Sequence, residues 1–109
     1  MASLDAVIEN RTRAALGVLA RRAGLVAAYV FGSRVEGTPS VWSDIDIAVF
    51  LKDTADWDLP TRIRAIVEVQ TEAGDDIEIH FFPADALQDP DTASFAAYVI
   101  RHGVRLALP

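Results

Sequence analysis

Residues 25–31, LVAAYVF, and residues 44–51, DIDIAVFL, are the stretches of sequence that decide the fold. The first is continuously apolar with β-branched and aromatic members, which predicts a strand covered on both faces. The second alternates Asp and Ile before it becomes wholly apolar, which predicts a strand with Ile45 and Ile47 facing the core. Residues 32–43 between them contain two glycines, one proline and three serines, so we predict a loop there.

The segments around these two strands predict helices. Apolar residues at three- and four-residue spacing predict a helix over residues 3–23, with Gly24 at its C′ position. Asp58, followed by Pro60, predicts the start of a second helix that ends at Gly74.

A third strand and a last helix complete the pattern. Residues 76–82 alternate again, which places Asp76, Glu78 and His80 on one face and isoleucines on the other. After a short turn, a helix that ends at Gly103 carries three residues that we expect in the core, and the tail adds a last short strand. The three expected core residues are Phe95, Tyr98 and Val99.

Composition and length set the class of the protein. The chain has 109 residues, of which 51% are hydrophobic, so we predict one folded domain over residues 1–109. Its fold class is α/β (α+β), with a small mixed sheet of about three to five strands flanked by helices. The longest apolar segment has seven residues, which excludes a membrane-spanning helix. The N-terminus shows no secretion signal, so we expect a cytoplasmic protein with no membrane contact.

Charge and cysteine content restrict the partners. Sixteen acidic and ten basic side chains give a formal net charge of −6, which disfavours direct binding of nucleic acid. The chain has no cysteine, which excludes disulfides, thiolate metal sites and cysteine nucleophiles. Any metal ion must therefore bind oxygen or imidazole ligands.

Asp44 and Asp46 are candidate metal ligands. Period two places both carboxylates on one face of the strand, where their mutual repulsion favours a counter-cation. Mg²⁺ fits this pair, because it accepts one or two protein carboxylates and completes its coordination with water and phosphate oxygens. A third acid on a neighbouring strand, Glu78 or Asp76, would allow two ions to bind. A solvated strand end is the alternative interpretation.

Gly32 and Ser33 follow the first strand and are candidates for binding phosphate. Without a Cβ, Gly32 allows a phosphate to approach backbone N–H groups, and Ser33 adds a hydroxyl donor. A plain turn is the alternative. For His80, contact with nucleotide or metal and a half-buried structural role both remain open.

These motifs together resemble the signature of the DNA polymerase β nucleotidyltransferase superfamily. The resemblance rests on residues 32–37, GSRVEG, followed by residues 43–49, SDIDIAV. The small size is similar to that of the minimal nucleotidyltransferases that are antitoxin partners of HEPN-domain toxins. The segment at residues 77–82 and the ending at residues 101–106 also fit this family's shape, so the resemblance covers nearly the whole chain.

The resemblance implies a polymerase-β-type nucleotidyltransferase fold and a set of site residues. It implies that two Mg²⁺ ions bind to Asp44, Asp46 and Glu78, the last also serving as general base. Where the family usually has Asp, this chain has Glu78, and Asp76 remains an available substitute. The residues expected to bind the nucleotide, with ATP as substrate, are Gly32, Ser33, Arg34 and Ser43.

Two functions follow from the resemblance. The first is magnesium-dependent transfer of AMP from ATP to a tyrosine hydroxyl of a HEPN toxin, which makes the chain an antitoxin in a hetero-oligomer. The second is a catalytically weak or inactive antitoxin that neutralises its toxin by direct binding. The net charge of −6 and the unusual Glu78 favour the second.

Overall fold

The computed structural model describes residues 6–32, 44–52, 57–88 and 94–109, which form a four-stranded mixed sheet with helices on both faces. In chain order the elements are α1 (Ala6–Ala20), β1 (Gly24–Phe31), β2 (Ile45–Lys52), α2 (Leu59–Ala73), β3 (Ile77–Pro83), a 3₁₀ turn (Ala84–Leu87), α3 (Phe95–His102) and β4 (Val104–Arg105). The predicted α+β class and mixed sheet are thus confirmed. Within the described part of the chain, no helix has the length and apolar character needed to cross a bilayer.

The strand order is β3-β2-β1-β4, and it mixes two kinds of pairing. β1 is antiparallel to both β2 and β4. β2 and β3 are parallel, because the chain crosses over through α2 between them. As a result, the end of β1 lies next to the beginning of β2, and the beginning of β2 lies next to the beginning of β3.

The larger core lies between the sheet and the pair α1 and α2. It contains the predicted inward-facing isoleucines Ile45 and Ile47, both 0% exposed, and also Ile77 and Ile79 from β3. Leu16 of α1 packs in the same cluster. The alternation predicted for β2 and β3 is therefore confirmed on this face.

A second, smaller core lies on the opposite face of the sheet, under α3. It contains Tyr29, Phe31, Phe50 and Val99 among its buried residues. The expectation for Val99 is confirmed, but a core position for the other two predicted α3 residues is wrong. Their relative exposures are 48% for Phe95 and 39% for Tyr98, because an eight-residue helix turns only one face to the sheet, and small alanines occupy most of that face.

The ends of α2 follow the prediction, whereas the end of α1 does not. Asp58 is the N-cap of α2, where its side chain accepts hydrogen bonds from the Thr61 backbone N–H (2.9 Å) and hydroxyl (2.6 Å). Gly74 ends α2 at a φ of 136°. Gly24, in contrast, is the first residue of β1, because α1 already ends at Ala20 in a tight turn that needs no glycine.

The Asp58 cap predicts a pH-dependent contribution to stability. The hydrogen bonds from Thr61 hold the pKa of Asp58 below its ordinary value of 3.8. A lowered pKa in the folded state means that the stabilisation is complete above the ordinary value and is lost as the pH falls below it. We expect Asp58→Ala to lower the Tm by a few degrees at pH 7, and this difference from wild type to shrink below about pH 3.8. Thermal unfolding followed by circular dichroism measures both effects.

The matched control is Asp58→Ser, because serine also accepts a hydrogen bond at an N-cap position. It should retain most of the wild-type Tm at pH 7. An equal loss in the Ala and Ser variants would contradict the assignment of Asp58 as a cap.

Candidate active site

Three neighbouring strands bring the candidate site together at one end of the sheet. Phe31, the last residue of β1, pairs with Asp46 of β2, and Asp46 pairs with Glu78 of β3. Residues that are paired directly across neighbouring strands point to the same face of the sheet. The side chains of Asp46 and Glu78 therefore lie side by side on the α3 face, and the backbone turn after Phe31 lies beside them.

Asp46 and Glu78 form a compact group of donors with His80. The ligand atoms of the three side chains all lie within 4.8 Å of one another. His80 Nε2 is 3.3 Å from Asp46 Oδ1. The Asp46 and His80 side chains are 23% and 26% exposed, whereas Glu78 lies at the surface. The group is thus sheltered on one side and open to solvent on the other.

Gly32 makes room for the Asp46 carboxylate. Its φ is 86°, in the region that side chains with a Cβ rarely adopt. A Cβ at this position would lie 2.7 Å from Asp46 Oδ2, which is closer than carbon and oxygen approach without a bond. Glycine is favoured here for two independent reasons, the turn of the backbone and the space beside the carboxylate. The phosphate contact predicted for Gly32 stays a prediction, since the group beside this residue is the Asp46 carboxylate.

Among the other predicted site residues, only Asp44 falls within both the described part of the chain and the neighbourhood of β2. Asp44 is exposed and directly precedes β2, and the group of three does not include it. Ser33, Arg34 and Ser43 lie outside the described residues. The roles of these four residues stay predictions.

The carboxylate of Asp76 is held by Arg11 of α1. Arg11 Nη1 donates to Asp76 Oδ2 at 2.9 Å, and Arg11 Nη2 donates to Asp76 Oδ1. These hydrogen bonds and the charge of Asp76 raise the pKa of the Arg11 guanidinium. Arg11 also approaches the Ala73 carbonyl at the end of α2 (3.4 Å), so the ion pair joins α1, α2 and the start of β3. Of the two acids left open by the sequence, Glu78 is the one beside Asp46.

For His80, the sequence left open both contact with nucleotide or metal and a half-buried structural role. The signal for it was present, because period two places it on the same strand face as Glu78. The sequence alone could not show its distance from Asp46, because the two residues are 34 positions apart and meet only through the β2 and β3 pairing.

Two carboxylates and an imidazole at these distances suit a divalent cation. Carboxylate oxygens are ligands for Mg²⁺, Mn²⁺ and Ca²⁺, and imidazole is a ligand for first-row transition ions. The oxygen donors of Asp46 and Glu78 therefore fit an Mg²⁺ ion that keeps several waters or phosphate oxygens. Divalent ions held by carboxylates are used by many enzymes that act on phosphate-containing substrates.

Comparison with known proteins agrees with this class. A family model described as "Polymerase beta, Nucleotidyltransferase" matches residues 16–106, most of the chain. The chain therefore belongs to the polymerase beta nucleotidyltransferase family. Enzymes of this kind generally use Mg²⁺ and a nucleoside triphosphate. No curated protein gives a significant match to the chain.

The contact between Gly32 and Asp46 predicts the effect of Gly32→Ala. The added Cβ must push the Asp46 carboxylate aside. The alanine backbone must also keep an unfavourable positive φ, which costs about 1–2 kcal/mol of stability. We expect the variant to be less stable by that amount and to bind Mn²⁺, detected by electron paramagnetic resonance, more weakly than wild type.

Gly17→Ala is the matched control, because a Cβ on Gly17 meets nothing within 4 Å and this residue lies inside α1. Alanine there should stabilise the helix by about 0.5–1 kcal/mol and leave Mn²⁺ binding unchanged. Unaltered ion binding in Gly32→Ala would show that Asp46 does not need the space beside Gly32.

The different surroundings of Glu78 and Asp76 predict opposite effects of removing their charges. Glu78→Gln should weaken Mn²⁺ binding about tenfold or more, because a donor of the group is lost. Asp76→Asn should leave Mn²⁺ binding within about twofold of wild type and lower the Tm, because it breaks the ion pair with Arg11. Titration by electron paramagnetic resonance and thermal unfolding measure the two effects. The reverse pattern would identify Asp76 as the ligand.

Proposed function

We propose that this chain is a magnesium-dependent nucleotidyltransferase that transfers AMP from ATP to a tyrosine hydroxyl of a HEPN toxin and so acts as an antitoxin. The observation that carries the proposal is the pairing of Asp46 with Glu78 at the end of the sheet where Gly32 turns the chain. Family membership supports nucleotidyl transfer in general. The resemblance to minimal nucleotidyltransferases supports ATP, the toxin and the antitoxin role.

The proposed reaction is an in-line displacement at the α-phosphorus of ATP. The tyrosine oxygen forms a bond to the α-phosphorus, the bond from this phosphorus to the oxygen that bridges to the β-phosphorus breaks, and pyrophosphate leaves with the electron pair. The proton of the tyrosine hydroxyl passes to a carboxylate oxygen of Glu78. When bound, Mg²⁺ supplies positive charge that neutralises the phosphate oxygens. Asp44, Asp46 and Glu78 would hold it, and Ser33 would orient the triphosphate.

A protein acceptor is consistent with the open side of the site. Glu78 is exposed, so the side chain of a second protein can reach its carboxylate without entering a deep cavity. The net charge of −6 disfavours a nucleic acid acceptor, whose phosphates the surface would repel. Both properties favour a tyrosine on a partner protein.

Transfer of label from ATP labelled in the α-phosphate tests the proposal directly. The chain is incubated with Mg²⁺ and a candidate HEPN toxin, and label on the toxin is measured. We expect Asp44→Asn combined with Asp46→Asn to reduce transfer at least about a hundredfold, because the ion and the phosphates lose their charged partners. Transfer at the wild-type rate by this double variant would refute the enzymatic function.

A double variant with the same change of charge elsewhere serves as the control. Asp75 and Asp85 are both exposed and lie outside the Asp46 group. Asp75→Asn combined with Asp85→Asn should transfer label like wild type. A loss of transfer in this control would mean that overall charge, rather than the candidate site, limits the reaction.

Direct binding of the toxin is the second candidate, and an exposed apolar stripe on α2 favours it. Leu59, Ile63 and Val67 follow one another at four-residue spacing, and their relative exposures are 68%, 50% and 53%. Apolar stripes of this kind are typical of surfaces that bind other proteins. If the Asp44 and Asp46 double variant still protects cells from the toxin as well as wild type, binding alone accounts for the antitoxin function.

A further inference from the structure

The imidazole of His80 lies at a distance from the Asp46 carboxylate that suits two ligands of one cation. Its Nε2 is 3.3 Å from Asp46 Oδ1. Two donors in adjacent positions around one ion are about 3.0–3.4 Å apart when each bond is about 2.1 Å long. The observed separation falls within this range. Glu78 supplies the third donor within the 4.8 Å group, so the three side chains need little movement to meet one cation.

The ring of His80 is held in this orientation by two phenylalanines. Phe31 contacts it edge to face, with ring centroids 5.1 Å apart, and Phe95 contacts it in the same way at 5.7 Å. Phe31 and Phe95 also contact each other, with centroids 5.4 Å apart. A donor fixed by its neighbours loses little freedom when an ion binds, which favours binding.

The chemistry of these donors favours a different class of ion from a site built of carboxylates alone. Mg²⁺ prefers oxygen ligands, whereas imidazole is a good ligand for first-row transition ions. We propose that His80 is a ligand of the ion at Asp46 and Glu78, and that the site of the proposed magnesium-dependent enzyme therefore also binds a transition ion such as Zn²⁺ or Co²⁺ through this imidazole. This proposal deepens the proposed function, on whose site it rests, by naming the class of ion and a further ligand.

A positioning role for His80 is the competing explanation. In that case the imidazole donates a hydrogen bond to Asp46 and keeps the carboxylate in place, but does not touch the ion. Removing His80 would then weaken the binding of every divalent ion by a similar factor. As a ligand, it contributes chiefly to the binding of transition ions. The ratio of the affinities for Zn²⁺ and Mg²⁺, compared between wild type and a His80 variant, therefore distinguishes a ligand from a positioning residue.

The chain contains only two histidines, which makes nuclear magnetic resonance of the imidazole nitrogens a direct test on the wild-type protein. His102 serves as the internal control, because it lies on α3 against Tyr98 and outside the donor group. We expect Zn²⁺ to shift the Nε2 resonance of His80 and to leave His102 unchanged, and Mg²⁺ to shift neither ring markedly. Zn²⁺ binding that leaves the His80 resonance in place would overturn the proposal.

Calorimetric titration of variants gives the second measurement. His80→Gln should weaken Zn²⁺ binding about tenfold or more while Mg²⁺ binding changes less than about threefold, and His102→Gln should change neither. An equal loss for both ions in His80→Gln would assign the residue a positioning role and overturn the proposal. Circular dichroism checks that each variant is folded. If His80→Gln fails to fold, the resonance measurement on the wild-type protein decides whether His80 binds Zn²⁺.

The outcomes separate this proposal from the proposed function. If labelled AMP is transferred with Mg²⁺ and Zn²⁺ does not shift the His80 resonance, the proposal about His80 fails and nucleotidyl transfer stands. If Zn²⁺ shifts the His80 resonance but no ion supports transfer from ATP, the ligand assignment stands and the enzymatic function fails.

Discussion

The register between the parallel strands β2 and β3 is the constraint on which the candidate site depends. Asp46 faces Glu78 only because each lies directly across from the other in this pairing. A shift of one residue along β3 would bring Ile77 or Ile79 opposite Asp46 and turn Glu78 towards the α1 and α2 core. Burial of these isoleucines makes such a shift costly. The apolar face of the sheet therefore fixes the geometry of the polar face.

The two faces of the sheet consequently differ in what they contain. The face covered by α1 and α2 holds the larger core, and the Arg11 and Asp76 ion pair ties its helices to the start of β3. The face under α3 holds a smaller aromatic core next to Asp46 and Glu78. Because neighbouring residues of a strand point to opposite faces, β2 and β3 each contribute residues to the larger core and to the candidate site. The larger core and the candidate site thus lie on opposite faces of the sheet although their residues alternate in sequence.

The sequence predicts most of this arrangement where the signal is local. Alternation gives the faces of β2 and β3, and Asp58 is recognisable as a cap from its own neighbours. Gly24 shows the limit of such signals, because a glycine after a helical pattern indicates a C′ position equally well when it begins a strand. Asp76 shows another limit. It shares a face with Glu78 by periodicity, but its partner Arg11 is 65 positions away, so only the fold shows that its carboxylate is engaged.

The aromatic core beside the carboxylates affects how strongly the site binds an ion. Phe31 and Phe95 contact the ring of His80, and Phe82 extends this apolar surface towards Phe50, with their rings stacked at 5.0 Å. Apolar groups next to a carboxylate reduce its contact with water and lower the local dielectric constant, which strengthens its attraction for a cation. The same neighbours make an unpaired charge there more costly. The Asp46 carboxylate, only 23% exposed, is therefore less solvated than the exposed acids elsewhere on the described surface, which favours a cation beside it.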